Sequence, residues 1–169
     1  MAVVDDRVHV LLLEGEARWE FRFIDNAFTR DERIDIEKVV FEQPYLGVLE
    51  DTFFARKLDF PADVDHLADS PFADKDIVIL GDIGPESLQP EFFPLLNQFV
   101  AEAGGTLVIT AGKNSMPRAF DNRQLTQLLP ILNPRPIDVK GARGLGSPAE
   151  RGIHLELTPE GEAEPFLQF

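Results

Sequence analysis

The chain contains no cysteine. That excludes disulfides, thiolate metal ligands and any cysteine nucleophile, and leaves the redox compartment open. Cations are scarce, with sixteen Lys and Arg against thirty Asp and Glu and a formal charge of −14. Phosphate recognition needs clustered Lys and Arg, so this balance argues against nucleic acid and against an anionic membrane surface as partners. Histidine occurs three times, as His9, His66 and His154, which leaves few candidates for a general base. No apolar run approaches the roughly 18 residues of a membrane span, and no signal-peptide pattern is present. Direct insertion of this segment into a membrane is therefore not expected.

What is present suits an ordinary globular chain: 169 residues, 44% hydrophobic and 27% charged, enough for one domain with a real core. The clearest organisation lies in residues 74–115. Ile77-Val-Ile-Leu80 and Thr106-Leu-Val-Ile-Thr110 are short runs without polar alternation, which suits strands buried on both faces. Between them, Phe92, Leu95, Leu96, Phe99 and Val100 recur at helical spacing over residues 90–103. Gly104 supplies the stop. Strand, helix and strand make a right-handed parallel βαβ unit. Ligands on such sheets gather at the carboxyl ends of the strands, which directs attention to residues 81–87 and 111–117.

Elsewhere, residues 8–13 read as a buried strand that breaks at Glu14-Gly15-Glu16. A helix is expected over 17–29, with Trp19, Phe23, Ile24, Ala27 and Phe28 as the stripe packed on the sheet. A solvent-exposed indole at Trp19 would instead reserve that residue for contact with something else. A strand is expected over 34–41 and a helix over 121–129, with Leu125, Leu128 and Leu129 facing inward. Residues 43–74, punctuated by Pro44, Gly47, Pro61 and Pro71, read as an irregular insertion with short helical turns near 46–54 and 64–68. Asp63, Asp65 and Asp69 lack the glycine and glutamate of a calcium-binding loop and are read as caps and solvated acids. Residues 134–152 read as loop, and residues 153–157 alternate like a last strand. The abrupt apolar end at residues 164–169 leads us to expect a module cut from a longer protein.

Several stretches resemble one family. They are Val10-Leu-Leu-Leu-Glu-Gly-Glu-Ala-Arg-Trp-Glu-Phe-Arg-Phe23, Arg30-Asp-Glu-Arg-Ile34, Ile77-Val-Ile-Leu-Gly-Asp82, the run from Phe99 through Gly104-Gly-Thr-Leu-Val108, and Leu128-Leu-Pro130. Together they resemble the glutamine-amidotransferase-like domain of large bacterial membrane proteins, often found beside a von Willebrand factor A domain. The resemblance spans residue 10 to about residue 132. It implies a flavodoxin-like three-layer α/β sandwich with a parallel sheet of order 2-1-3-4-5. It also implies a soluble domain tethered to a bacterial membrane through other segments, with a protein partner or neighbouring domains of a longer chain. In active members a cysteine sits on a tight elbow after a strand, where amides hold an oxyanion. The matching elbow here follows Thr110, at Ala111 or Gly112, and carries no nucleophile. His154-Leu-Glu156 has the letters of the partner pair but lies on an apparent strand. Glutaminase activity is excluded, and no catalytic residue, metal or cofactor is assigned.

Two readings remain. In the first, a non-catalytic interaction module binds a ligand or protein through its loops or its 43–74 insertion. In the second, an enzyme of the same fold, a hydrolase or a sugar-acting relative, uses carboxylates with a divalent metal, or Ser115 as a nucleophile with a histidine base. The convergent groups that can be assembled are mostly acids, which favours the first. In either case the side chains expected to line a site are Glu14, Glu16, Arg18, Asp82, Asn114 and Ser115.

Overall fold

The computed structural model describes residues 7–42, 58, 66–116, 119, 123–129 and 159–165. Strand β1 (Val8–Glu16) is central. It pairs in parallel with β2 (Ile34–Glu42) on one side, Val10 opposite Ile36, and with β3 (Ile77–Leu80) on the other, Val10 opposite Ile77. Strand β4 (Thr106–Ile109) then pairs in parallel with β3. Among the described residues the sheet is thus four-stranded and all parallel, in the order β2-β1-β3-β4. Strand one lies between two and three, as expected. A fifth strand is not among the described residues, because residues 153–157 lie outside them, as do residues 46–54 and His154.

Successive side chains of a strand point to opposite faces, and the core divides accordingly. Leu11, Leu13, Val78 and Leu80 face one cluster, with helix α2 (Phe92–Ala101) and Leu125 of helix α3 (Arg123–Leu128). Val10, Leu12 and Ile79 face the other cluster, with Phe21 of helix α1 (Trp19–Thr29). Helices therefore flank both faces of the sheet.

Pro94 falls in the first turn of α2, where its missing N–H has no intrahelical partner to lose. Gly104, at φ 75°, closes that helix, and the Gly105 amide returns to the Phe99 carbonyl at 2.9 Å. A 3₁₀ turn at Leu67–Asp69 leads into Phe72, which is buried and meets the Phe92 ring edge-on at 5.4 Å. These elements belong to one compact unit, Met1–Leu132; a second, Asn133–Phe169, contains the short helix α4 (Pro159–Ala163).

Two expectations are corrected. Strand β1 does not break at Glu14 but runs on through Glu16, because β2 extends alongside it and pairs Glu14 with Val40 and Glu16 with Glu42. Trp19 and Phe23 do not pack on the sheet; they are 72% and 70% exposed. At about 100° per residue, Trp19 and Phe23 lie some 40° apart, while Phe21 and Phe28 lie roughly 160–200° round from Trp19. The helix carries two competing apolar stripes. The sheet takes Phe21, Ile24 and Phe28, together with the Lys38–Asp25 ion pair at 2.9 Å that joins β2 to α1.

Candidate functional site

At the carboxyl ends of β1, β3 and β4, three charged side chains form one connected group. Glu14, 1% exposed, receives Arg18 in a two-pronged contact, Nε to Oε1 at 3.1 Å and Nη2 to Oε2 at 3.2 Å. Its Oε1 also accepts the Asp82 backbone N–H at 2.7 Å. Arg18 Nη2 donates onward to the Thr110 hydroxyl at 3.4 Å, and that hydroxyl donates to the Leu80 carbonyl at 3.3 Å. Residues from three strand ends are thereby tied through one guanidinium.

Asp82 forms the second half of the group. Its side chain is 4% exposed and accepts three consecutive amides from the turn after β4: Asn114 at 2.9 Å, Ser115 at 2.7 Å and Met116 at 2.7 Å. Successive N–H groups converging on one point make an anion-binding nest. Here the anion is the protein's own carboxylate. The fit is close on both sides, since a Cβ at Gly112 would overlap the Asp82 carboxylate and one at Gly81 would overlap that of Glu14. Among the described residues, no buried side-chain nitrogen or oxygen lacks a hydrogen-bond partner.

The two acids respond to their surroundings in opposite directions. Burial pushes the Glu14 carboxyl above its ordinary 4.5, against the opposing pull of Arg18 and the Asp82 amide. Burial also acts to raise Asp82, but the amides of Asn114, Met116 and Ser115, with the Arg18 charge, outweigh it and hold Asp82 below its ordinary 3.8. A carboxyl group lowered on folding stabilises the protein above its unfolded value and loses that contribution as pH falls through its folded value. The stability difference between wild type and Asp82→Asn is therefore expected to be constant from neutrality to about pH 5 and to shrink as the pH drops below about 4. Glu14 is common to both proteins, so its opposite trend cancels. Chemical denaturation across that range is the measurement, and a pH-independent difference would show that the amides do not require the charge.

Of the residues expected to line a site, Glu14, Arg18 and Asp82 come together with the backbone of Asn114 and Ser115. Asn114 and Ser115 contribute amides to this group. Glu16 stands apart, exposed, on the rim of a neighbouring cleft of about 410 Å³ that Arg18, Trp19, Glu20 and residues 111–113 also line. Thr110 and Met116 take part without having been anticipated. A hydroxyl at the end of β4 was a readable hint of the first, whereas a backbone amide leaves no trace in the sequence.

Ser115 has no base in reach among the described residues. Its hydrogen bonds are backbone ones, to Asp82 and from the Ala119 amide. His9 lies near the amino end of β1 beside Asp35, at 3.6 Å, so the length of the sheet separates it from the turn after β4. His66 precedes the 3₁₀ turn at Leu67–Asp69. Nor, among the described residues, is there a group of three or more His, Asp or Glu placed to hold a metal ion. No described helix is long and apolar enough to cross a membrane. No family model, curated protein or solved structure matches the chain.

Proposed function

We infer that this chain is a non-catalytic interaction module on an amidotransferase-like scaffold. Its complete sheet would have the flavodoxin-like order 2-1-3-4-5, and it would serve as one module of a longer, membrane-tethered bacterial protein. The observation that supports this most strongly is the filled nest after β4. In an active elbow such amides face the substrate and stabilise the charge that develops in the transition state. Here Asn114, Ser115 and Met116 donate to Asp82 instead. A carboxylate with three short amide contacts leaves no donors at that point for an incoming oxyanion. The absence of cysteine from the whole sequence removes the nucleophile as well.

The purified domain is expected to hydrolyse neither glutamine nor activated esters above the protein-free rate. Turnover that Ser115→Ala abolishes would sink the reading. A thermal-shift screen against divalent cations and simple sugars tests the enzymatic alternative directly. A cation-dependent rise in Tm that is lost in Asp82→Asn would favour it.

A further inference from the structure

Large apolar side chains left in water on a folded domain mark contact surfaces when they adjoin one another. Trp19 and Phe23 do adjoin: their ring centroids are 6.3 Å apart with planes tilted by 30°, on the face of α1 turned away from the sheet. The indole also lines the 410 Å³ cleft beside Glu16 and Glu20. Neither ring is needed for the core, which Phe21 supplies from the opposite side of the helix.

We propose that this aromatic pair and the adjoining carboxylates of Glu16 and Glu20 form a docking site for a basic segment of another protein, with an arginine side chain laid over Trp19 and an aliphatic one over Phe23. The proposal rests on the interaction-module reading and specifies its partner. Charge is the deciding argument. Glu16 and Glu20 line the cleft against Arg18 and Lys113, and Glu14 lies buried beneath Arg18. The Arg18 guanidinium is already matched by Glu14, 1% exposed beneath it, and it lies 3.8 Å from Glu20. One negative charge is left over, in a chain whose total is −14. A guanidinium is attracted to the face of an indole and stacks on it, more so when carboxylates flank the ring. The same total charge disfavours a second copy of this chain as the occupant, since two such surfaces repel. Arg22 lies one turn along α1 on the far side of the pair from Glu20, so the incoming cation is directed towards the cleft.

The test uses the full chain and a labelled synthetic peptide alternating arginine with leucine, followed by fluorescence anisotropy at low salt. A peptide with glutamate in place of arginine serves as the control. Wild type is expected to bind the first and not the second. Trp19→Ala should weaken binding at least about five-fold, within the range for a cation over an indole. Glu16→Gln combined with Glu20→Gln should do the same, while Arg22→Ala binds at least as tightly as wild type. Neutralising two exposed acids at the ends of α2, Glu91→Gln with Glu102→Gln, should change affinity less than about two-fold. Both aromatic side chains are exposed, so their removal leaves the fold intact, and circular dichroism verifies it. Failure of wild type to bind, equal losses from the two acid pairs, or unchanged binding by Trp19→Ala would overturn the proposal. So would sedimentation showing a dimer that Trp19→Ala dissolves. None of these outcomes bears on turnover, which tests the module reading separately.

Discussion

Phe21→Ala is expected to destabilise the domain by about 3–5 kcal/mol, while Trp19→Ala changes stability by less than about 1 kcal/mol. The two residues are neighbours but one in the sequence and have opposite surroundings. Phe21 is 1% exposed and packs with Val10, Leu12, Val40 and Ile79 from three adjacent strands, so its removal leaves a cavity under α1 that a rigid sheet cannot close. Trp19 is 72% exposed and loses little contact on truncation. Urea unfolding of both variants decides the matter. If Trp19→Ala proves the more damaging, the helix packs through its other stripe and the docking surface described above does not exist.

The second large effect belongs to Glu14. Glu14→Ala should cost about 3–5 kcal/mol, because it strands a largely buried guanidinium and also the Asp82 amide, both of which Glu14 now accepts. Glu14→Gln keeps the shape and one acceptor, and should cost less, about 1–3 kcal/mol. A buried ion pair replaced by apolar side chains of similar volume is often close to neutral. The double variant Glu14→Met, Arg18→Met should therefore recover much of the loss. Recovery should stop short of wild type, since the Asp82 N–H stays without its acceptor and Thr110 loses its Arg18 contact. A Glu14→Ala protein as stable as wild type would mean that Arg18 finds another partner at no cost, and that the group does not hold the strand ends together.

The parallel sheet was legible because its strands announce themselves locally. Ile77–Leu80 is an uninterrupted apolar run, Thr106–Ile109 is one after its first residue, and the helix between them has one apolar face closed by Gly104, so each segment admits a single assignment. Helix α1 was only half legible. Its period is unambiguous, but six apolar residues spread over eleven positions supply two faces, and the larger tryptophan stood out although the smaller Phe21 lies against the sheet. The end of β1 was misread because charge is a sound local signal for a strand leaving the core. Glu14 is an exception that depends on Arg18 bringing it a matching charge.

The sequence by itself determined the class of fold, the parallel strands of the βαβ unit, and the absence of a thiol anywhere in the chain. Those follow from periodicity and composition, which act over a few residues or over the whole. Only the tertiary structure decided that Asp82 fills the amides after β4, that Glu14 accepts from Asp82 across 68 residues, and that Phe21 rather than Trp19 turns inward. Each of these depends on which strand ends meet, and a backbone amide looks the same at every position of a sequence. A carboxylate becomes a ligand, a base or an internal anchor according to the donors that reach it, and here those donors come from the turn that β4 brings beside β3.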